Sequence, residues 1–270
     1  MESIENQLKK REYINTKIGT IKVLDLVPEK IDKQIPPIFY IPGWAETIES
    51  SREIIISFAR KGYRVLAADF NTMDTETFNV YKYPEIEYRR TVGVINALGA
   101  KKINKVHIIG HSEGAVNAVI VARLSPSLAE SVTLVSPGGI VVRRELAPLI
   151  FRYLKYLAIQ FEVRSWHSFF VALTYVKEAL KFCLFNPIQA AKQVASVNEV
   201  DVIKLIIQLQ EKGVPVYVIH GFYDIMIDSS LLKKELQEIQ FTNLHMVEGG
   251  HNYVNTNADE FTALYQEIIR

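Results

Sequence analysis

From the N-terminus, apolar positions first recur with a period of two. Ile21, Val23 and either Leu24 or Leu26 alternate with polar neighbours, so Glu12 to Lys17 and Thr20 to Val27 form a hairpin around Gly19. Pro28 and the polar run to Gln34 end it. Ile35 to Ile41 is a short buried strand leading into Pro42-Gly43-Trp44, and the apolar spacing from Ile48 through Phe58 has helical period. Tyr63 to Ala68 is a second buried strand closed by Asp69, and Pro84 starts a helix running to about Ala100. Val106, Ile108 and Ile109 make a third strand, Ala115 onward is helix-like, and Val132 to Val135 is another β-branched run ended by Pro137-Gly138-Gly139. Strand and helix therefore alternate from Ile35 to Ser136, which implies a parallel sheet with helices on both faces. The alternation lapses from Ile140 to Val197, where helical periods rich in aromatics replace it. It resumes with a helix from Glu199 to Lys212, a strand from Val214 to Ile219, a helix from Ser230 to Gln240, a strand from Asn243 to Val247 and a terminal helix from Asp259 to Ile269. The expected organisation is an α/β core over 1–138 and 198–270 with a helical insert over 139–197.

The most informative junction is Lys105 to Ala115, KVHIIGHSEGA. Here a strand passes through Gly110-His111-Ser112-Glu113-Gly114 directly into a helix. Gly110 and Gly114 flank the serine because a turn this sharp leaves no room for a Cβ where strand and helix meet, and it drives Ser112 toward strained backbone geometry. In this motif the chain resembles the α/β-hydrolase fold family, whose nucleophile elbow Gly-x-Ser-x-Gly is followed in chain order by an acid and a histidine. The resemblance implies a mostly parallel, doubly wound sheet of the α/β-hydrolase type. It also implies that 139–197 is a helical cap of the kind many relatives insert over the mouth of the site.

A serine hydroxyl is protonated at neutral pH and attacks a carbonyl usefully only when a base takes its proton, a role suited to histidine. Six histidines compete: 107, 111, 167, 220, 245 and 251. His251 follows the last strand on Gly249-Gly250, where the family places its base; the plainer reading is a loop histidine capping the terminal helix. Asp224, beyond the strand ending at Ile219, matches the family's acid position, with Asp228 as the rival. The order Ser112, Asp224, His251 is the family's order, and in an open parallel sheet the strand ends that carry them share one edge. The resemblance further implies an oxyanion hole made by the backbone N–H groups of Glu113 and Trp44. Pro42-Gly43 stands where relatives usually carry His-Gly. The Trp44 side chain either covers the core or lines an acyl pocket; the Glu113 carboxylate either faces the oxyanion or turns toward an arginine. The insert's aromatics, among them Phe151, Trp166 and Phe170, are read as core packing between cap helices or as an apolar substrate pocket.

Composition narrows the partners. The chain has 270 residues, 49% hydrophobic and 23% charged, with a net charge of +1, so a polyanion such as nucleic acid is not an expected ligand. From Gly139 to Glu199, eight Lys or Arg face four acids, a local +4 that suits an anionic group on the substrate, an anionic lipid surface or, most plainly, a solvated face. The N-terminal MESIENQLKKREYINTK has no apolar leader and Cys183 is the single cysteine, both consistent with the cytoplasm. The longest apolar stretch, Leu146 to Phe161, is broken by Arg152 and Lys155, so no integral membrane segment is expected. With no Cys pair, no His-Glu-x-x-His and no Gly-rich phosphate loop, neither a metal nor a cofactor is expected. The function implied is a serine hydrolase acting on a small-molecule carboxylic ester with an apolar portion, with thioester or carbon–carbon bond hydrolysis open in the same fold. The reading from another class is a receptor or interaction protein that keeps the fold without catalysis.

Overall fold

A computed structural model describes residues 3–16, 19–31, 34–69, 84–141 and 166–269. Among these described residues, eight strands form one sheet in the order β1-β2-β4-β3-β5-β6-β7-β8. The hairpin β1 (Glu12–Thr16) and β2 (Gly19–Leu26) is antiparallel, with Ile14 opposite Ile21, and β2 runs antiparallel to β4 (Val65–Asp69). From β4 onward through β3 (Ile38–Ile41), β5 (Val106–His111), β6 (Ala129–Val135), β7 (Val216–Gly221) and β8 (Leu244–Val247), all pairings are parallel.

Parallel strands covered by helices on both faces read as continuous apolar runs, and β3, IFYI, is buried throughout. Its side chains split by pleat. Phe39 and Ile41 join the cluster built with α3 (Glu85–Ala100), α4 (Glu113–Leu124), α7 (Val202–Glu211) and α8 (Ser229–Glu238). Ile38 and Tyr40 face the cluster built with α2 (Arg52–Arg60) and α10 (Ala258–Ile268). The same split resolves β2. Ile21 and Val23 belong to the first cluster, and both Leu24 and Leu26 to the second, because β2 lies between β1 and β4 and is covered on both sides.

Helix α2 begins at Arg52, later than the apolar spacing from Ile48 predicts. Thr47 N–H donates to Ser50 Oγ at 2.9 Å and Ser50 N–H to Thr47 Oγ1 at 3.2 Å, so short polar side chains compete with the helical ladder there. The Ile48 N–H donates instead to Asp69 Oδ1 at 2.7 Å, tying this turn to the end of β4. Two four-residue helices, α1 (Ile4–Gln7) and α9 (Tyr253–Thr256), have no counterpart in the sequence reading.

Within the expected insert, α5 (Trp166–Phe185) and α6 (Pro187–Val197) are helical, and Pro187 occupies the first turn of α6, where its missing N–H has no helical partner to lose. The Trp44 ring meets Phe182 of α5 edge to face with centroids 6.2 Å apart, and its Nε1–H donates to Ala190 O of α6 at 3.1 Å. Phe151 and residues 70–83 lie outside the described residues.

Candidate active site

Ser112 stands between β5 and α4 with φ 52° and ψ −115°, a conformation that L-residues rarely adopt. Close packing enforces it. A Cβ on Gly110 would lie 2.3 Å from Gly114 O, and one on Gly114 would lie 2.2 Å from Ile41 O. The Ser112 backbone is held from the neighbouring strand end as well: its N–H donates to Val135 O at 2.9 Å and its carbonyl accepts from Gly138 N–H at 3.0 Å.

Two further strand ends deliver the partners. His251, four residues beyond β8, is buried and accepts from Ser112 Oγ–H through Nε2 at 3.0 Å. Its Nδ1–H donates to Asp224 Oδ2 at 2.8 Å. Asp224, after β7, accepts at Oδ1 from the Met226 and Ile227 N–H groups at 2.8 and 2.9 Å. Burial raises the Asp224 pKa, but His251, His220 and the Ile227 N–H outweigh it, and the carboxyl ends below its ordinary value. Asp224 is therefore ionised, His251 holds its proton on Nδ1, and Nε2 is the acceptor toward serine. Asp228 does something else. It caps α8, accepting from Ser230 and Leu231 N–H at 3.0 and 3.1 Å.

Glu113 turns away from Ser112's hydroxyl face into a buried polar layer. Its Oε2 lies 2.5 Å from Arg90 Nη1 of α3. In the same layer Glu87 accepts from Asn117 Nδ2 of α4 and from Ser196 Oγ of α6 at 2.6 Å. Burial and then the charge of Glu113 raise the Glu87 pKa to about 7, against the opposing pull of Arg90, Ser196 and Asn117.

The turn after β3 closes over this ground. Glu46 Oε2 accepts the Gly43 N–H at 2.6 Å, which holds the Pro42-Gly43 segment in its turn. A Cβ on Gly43 would lie 3.0 Å from Ser112 Cβ, so Gly43 and Trp44 sit directly beside the serine. The space between them is a cavity of about 40 Å³ lined by Gly43, Trp44, Glu46, His111, Ser112, Tyr175, Met226 and His251. Trp44 thus touches α5 and α6 and lines the cavity at once. Trp166 and Phe170 do not line it; they are 80% and 59% exposed, and Phe170 lines a separate cavity against Glu49, Ser50, Arg52 and Glu53. Tyr175, on the opposite face of that helix, and Met226 take the places expected of them. Helical phase separates 175 from 166 and 170 by about a half-turn, a distinction that aromatic content alone does not make.

A sequence profile described as alpha/beta hydrolase fold matches residues 36–165, the stretch from β3 through the turn at Ser112 and into the insert. Together with the strand order, this decides the fold. The chain has the α/β-hydrolase fold. Among solved structures, this chain is similar to a membrane phospholipase A described as a bacterial virulence factor, with TM-score 0.72 and 16% identity over 98% of this chain and 87% of that one. It is also similar to a structure from a study of carboxylesterases of Nitrososphaera gargenis, with TM-score 0.67 and 16% identity over 96% and 97% of the two chains. A third is a meta-cleavage product hydrolase from Pseudomonas fluorescens, with TM-score 0.64 and 18% identity over 95% and 96%. No curated protein sequence matches this chain.

Proposed function

We propose that this protein is a serine hydrolase that cleaves a carboxylic ester through an acyl-enzyme. The observation that carries the reading is the uninterrupted relay from Ser112 Oγ to His251 Nε2 at 3.0 Å and from His251 Nδ1 to Asp224 Oδ2 at 2.8 Å. In this reading Ser112 Oγ adds to the ester carbonyl as His251 Nε2 takes its proton, and Asp224 stabilises the imidazolium that results. The oxyanion is met by the backbone N–H groups of Trp44 and Glu113, the latter at the N-terminus of α4, where the helix dipole favours negative charge. The tetrahedral adduct collapses as His251 returns the proton to the leaving alkoxide, and the alcohol departs. A water then gives a proton to His251 and its oxygen to the acyl carbon, releasing the acid and restoring Ser112. No metal or cofactor enters these steps.

The substrate class follows from the same space. A cavity of about 40 Å³ over Ser112 takes the reacting group and a short acyl chain, with Trp44, Tyr175 and Met226 as the apolar contacts. We assign residues 139–197 as the cap over a core of 1–138 and 198–270. Solved neighbours described as a phospholipase, from a carboxylesterase study, and as a meta-cleavage product hydrolase support acyl or carbon–carbon bond hydrolysis as the range of chemistry.

The test combines a fluorophosphonate probe with p-nitrophenyl esters of increasing acyl length. Covalent labelling and turnover in the wild type, both lost in Ser112→Ala, with acetate or butyrate preferred over long chains, is the expected result. Tight small-molecule binding without labelling or turnover would replace the hydrolase with a receptor.

A further inference from the structure

His111 precedes the proposed nucleophile, yet its ring points into the protein and has no part in the relay. It is 1% exposed, its Nδ1 lies 3.0 Å from both carboxylate oxygens of Glu46, and its Nε2 lies 2.9 Å from the backbone carbonyl of His251. A neutral imidazole has one donor and one acceptor nitrogen. Here both nitrogens face oxygen. The carbonyl of His251 can only accept, so Nε2 must carry a proton. At the other side, Glu46 already accepts from Gly43 N–H at Oε2, 2.6 Å, and from Asn255 Nδ2 at Oε1, 3.3 Å. One proton therefore lies between Glu46 and Nδ1, and a neutral carboxyl could supply it as well as the ring could; because both Glu46 oxygens already accept from N–H groups, an arrangement that favours the carboxylate, the proton is placed on Nδ1.

We propose that Glu46 and His111 form a carboxylate–imidazolium pair that positions both the proposed base and the proposed oxyanion loop. The pair joins three segments that only the fold brings together: the turn after β3 through Gly43 N–H, the end of β5 through His111 itself, and the loop after β8 through the His251 carbonyl. His251 is thereby held at two points, its ring by Asp224 and its main chain by His111. Its imidazole sits 5.1 Å, centroid to centroid, from that of His111, and a like charge at that distance would oppose protonation of the base unless Glu46 balanced it. The charged and titratable groups around the pair agree with this assignment. Glu46 and Asp224 favour the His111 cation against its burial, while Tyr40 of β3 and Glu113 of α4 lie near enough to Glu46 to feel its charge. Both Glu46 and His111 are positioning residues in this assignment, since the proton transfer itself runs through His251.

The catalytic consequence rests on the hydrolase reading; the charge state does not, and the experiment separates the two. Nitrogen-15 correlation spectra of the histidine rings of the wild-type protein at pH 8, with His111 assigned by its absence in His111→Asn, should show protons on both ring nitrogens of His111 and the nitrogen shifts of an imidazolium. A neutral tautomer at that pH overturns the proposal. In Glu46→Gln the imidazolium signature should vanish, and the second-order rate of fluorophosphonate labelling should fall about 10- to 100-fold, the scale expected from a displacement of about an ångström at a reacting group. A folded Glu46→Gln protein that labels at the wild-type rate also overturns it. If the wild type itself is not labelled, the hydrolase reading falls, and the ring-proton measurement still decides whether the pair is charged. If Glu46→Gln does not fold, the wild-type spectrum decides alone.

Discussion

Two aspartates follow β7, four residues apart, and their surroundings give them different work. Asp224 receives the His251 Nδ1 proton, whereas Asp228 receives only the first N–H groups of α8. Substituting Asp224 by Asn should reduce kcat roughly 10³- to 10⁴-fold with KM little changed, because the amide favours the wrong imidazole tautomer. Substituting Asp228 by Ala should leave kcat near wild type and cost about 1 kcal/mol of stability through the lost cap, read from the urea midpoint. Reversed outcomes would exchange their roles. The sequence ranks Asp224 first only by resemblance, since spacing after a strand serves both residues equally. Glu113 shows the same limit: an acid beside a serine reads equally as an oxyanion neighbour or an arginine partner, and only the packing of α3 against α4 brings Arg90 to it. The structural work of His111 and Glu46 is legible only after folding, because the residues they join are 65 and 140 positions apart.

At the level of elements, periodicity locates nearly every long helix and strand, because amphipathic stripes and buried β-branched runs are written in consecutive residues. Four-residue helices span barely one turn and leave no period to read, which accounts for α1 and α9. What the patterns do not reveal is the polar layer among α3, α4 and α6, where Glu87, Asn117 and Ser196 meet. The raised pKa of Glu87, about 7 against an ordinary 4.5, means that its contribution to stability is complete below about pH 4.5 and is lost as pH rises through 7. Urea midpoints of the wild type should therefore fall between pH 5 and pH 8, and Glu87→Gln should flatten that decline while gaining relative stability at the alkaline end. Parallel curves for the two proteins would assign the titration to another group.

Across the whole molecule, alternating strand and helix foretells a parallel sheet, but not that β2 enters it antiparallel beside β4 or that β3 lies between β4 and β5. Strand order is set by long-range pairing, which no local window contains. The sheet's carboxyl edge gathers Ser112, Asp224 and His251, while the helices after residue 166 supply Tyr175 to the cavity and dock on Trp44 through Phe182 and Ala190. Tyr175→Ala should enlarge the space over Ser112. It should shift the ratio of kcat/KM for hexanoate over acetate p-nitrophenyl esters upward by about tenfold, the scale of discrimination for one methylene in an apolar pocket. An unchanged ratio would remove Tyr175 from the acyl wall.

The serine's positive φ bears on durability. A backbone held in a disfavoured well typically costs about 1–3 kcal/mol, and glycine adopts such a well freely while giving back roughly 0.5–1 kcal/mol in chain entropy. Ser112→Gly should accordingly be inactive and yet melt a few degrees higher than the wild type in differential scanning calorimetry, the protein gaining heat resistance in the same step that silences it. Screens that select variants of this chain for thermostability alone would then drift toward losing the hydroxyl on which the proposed chemistry depends.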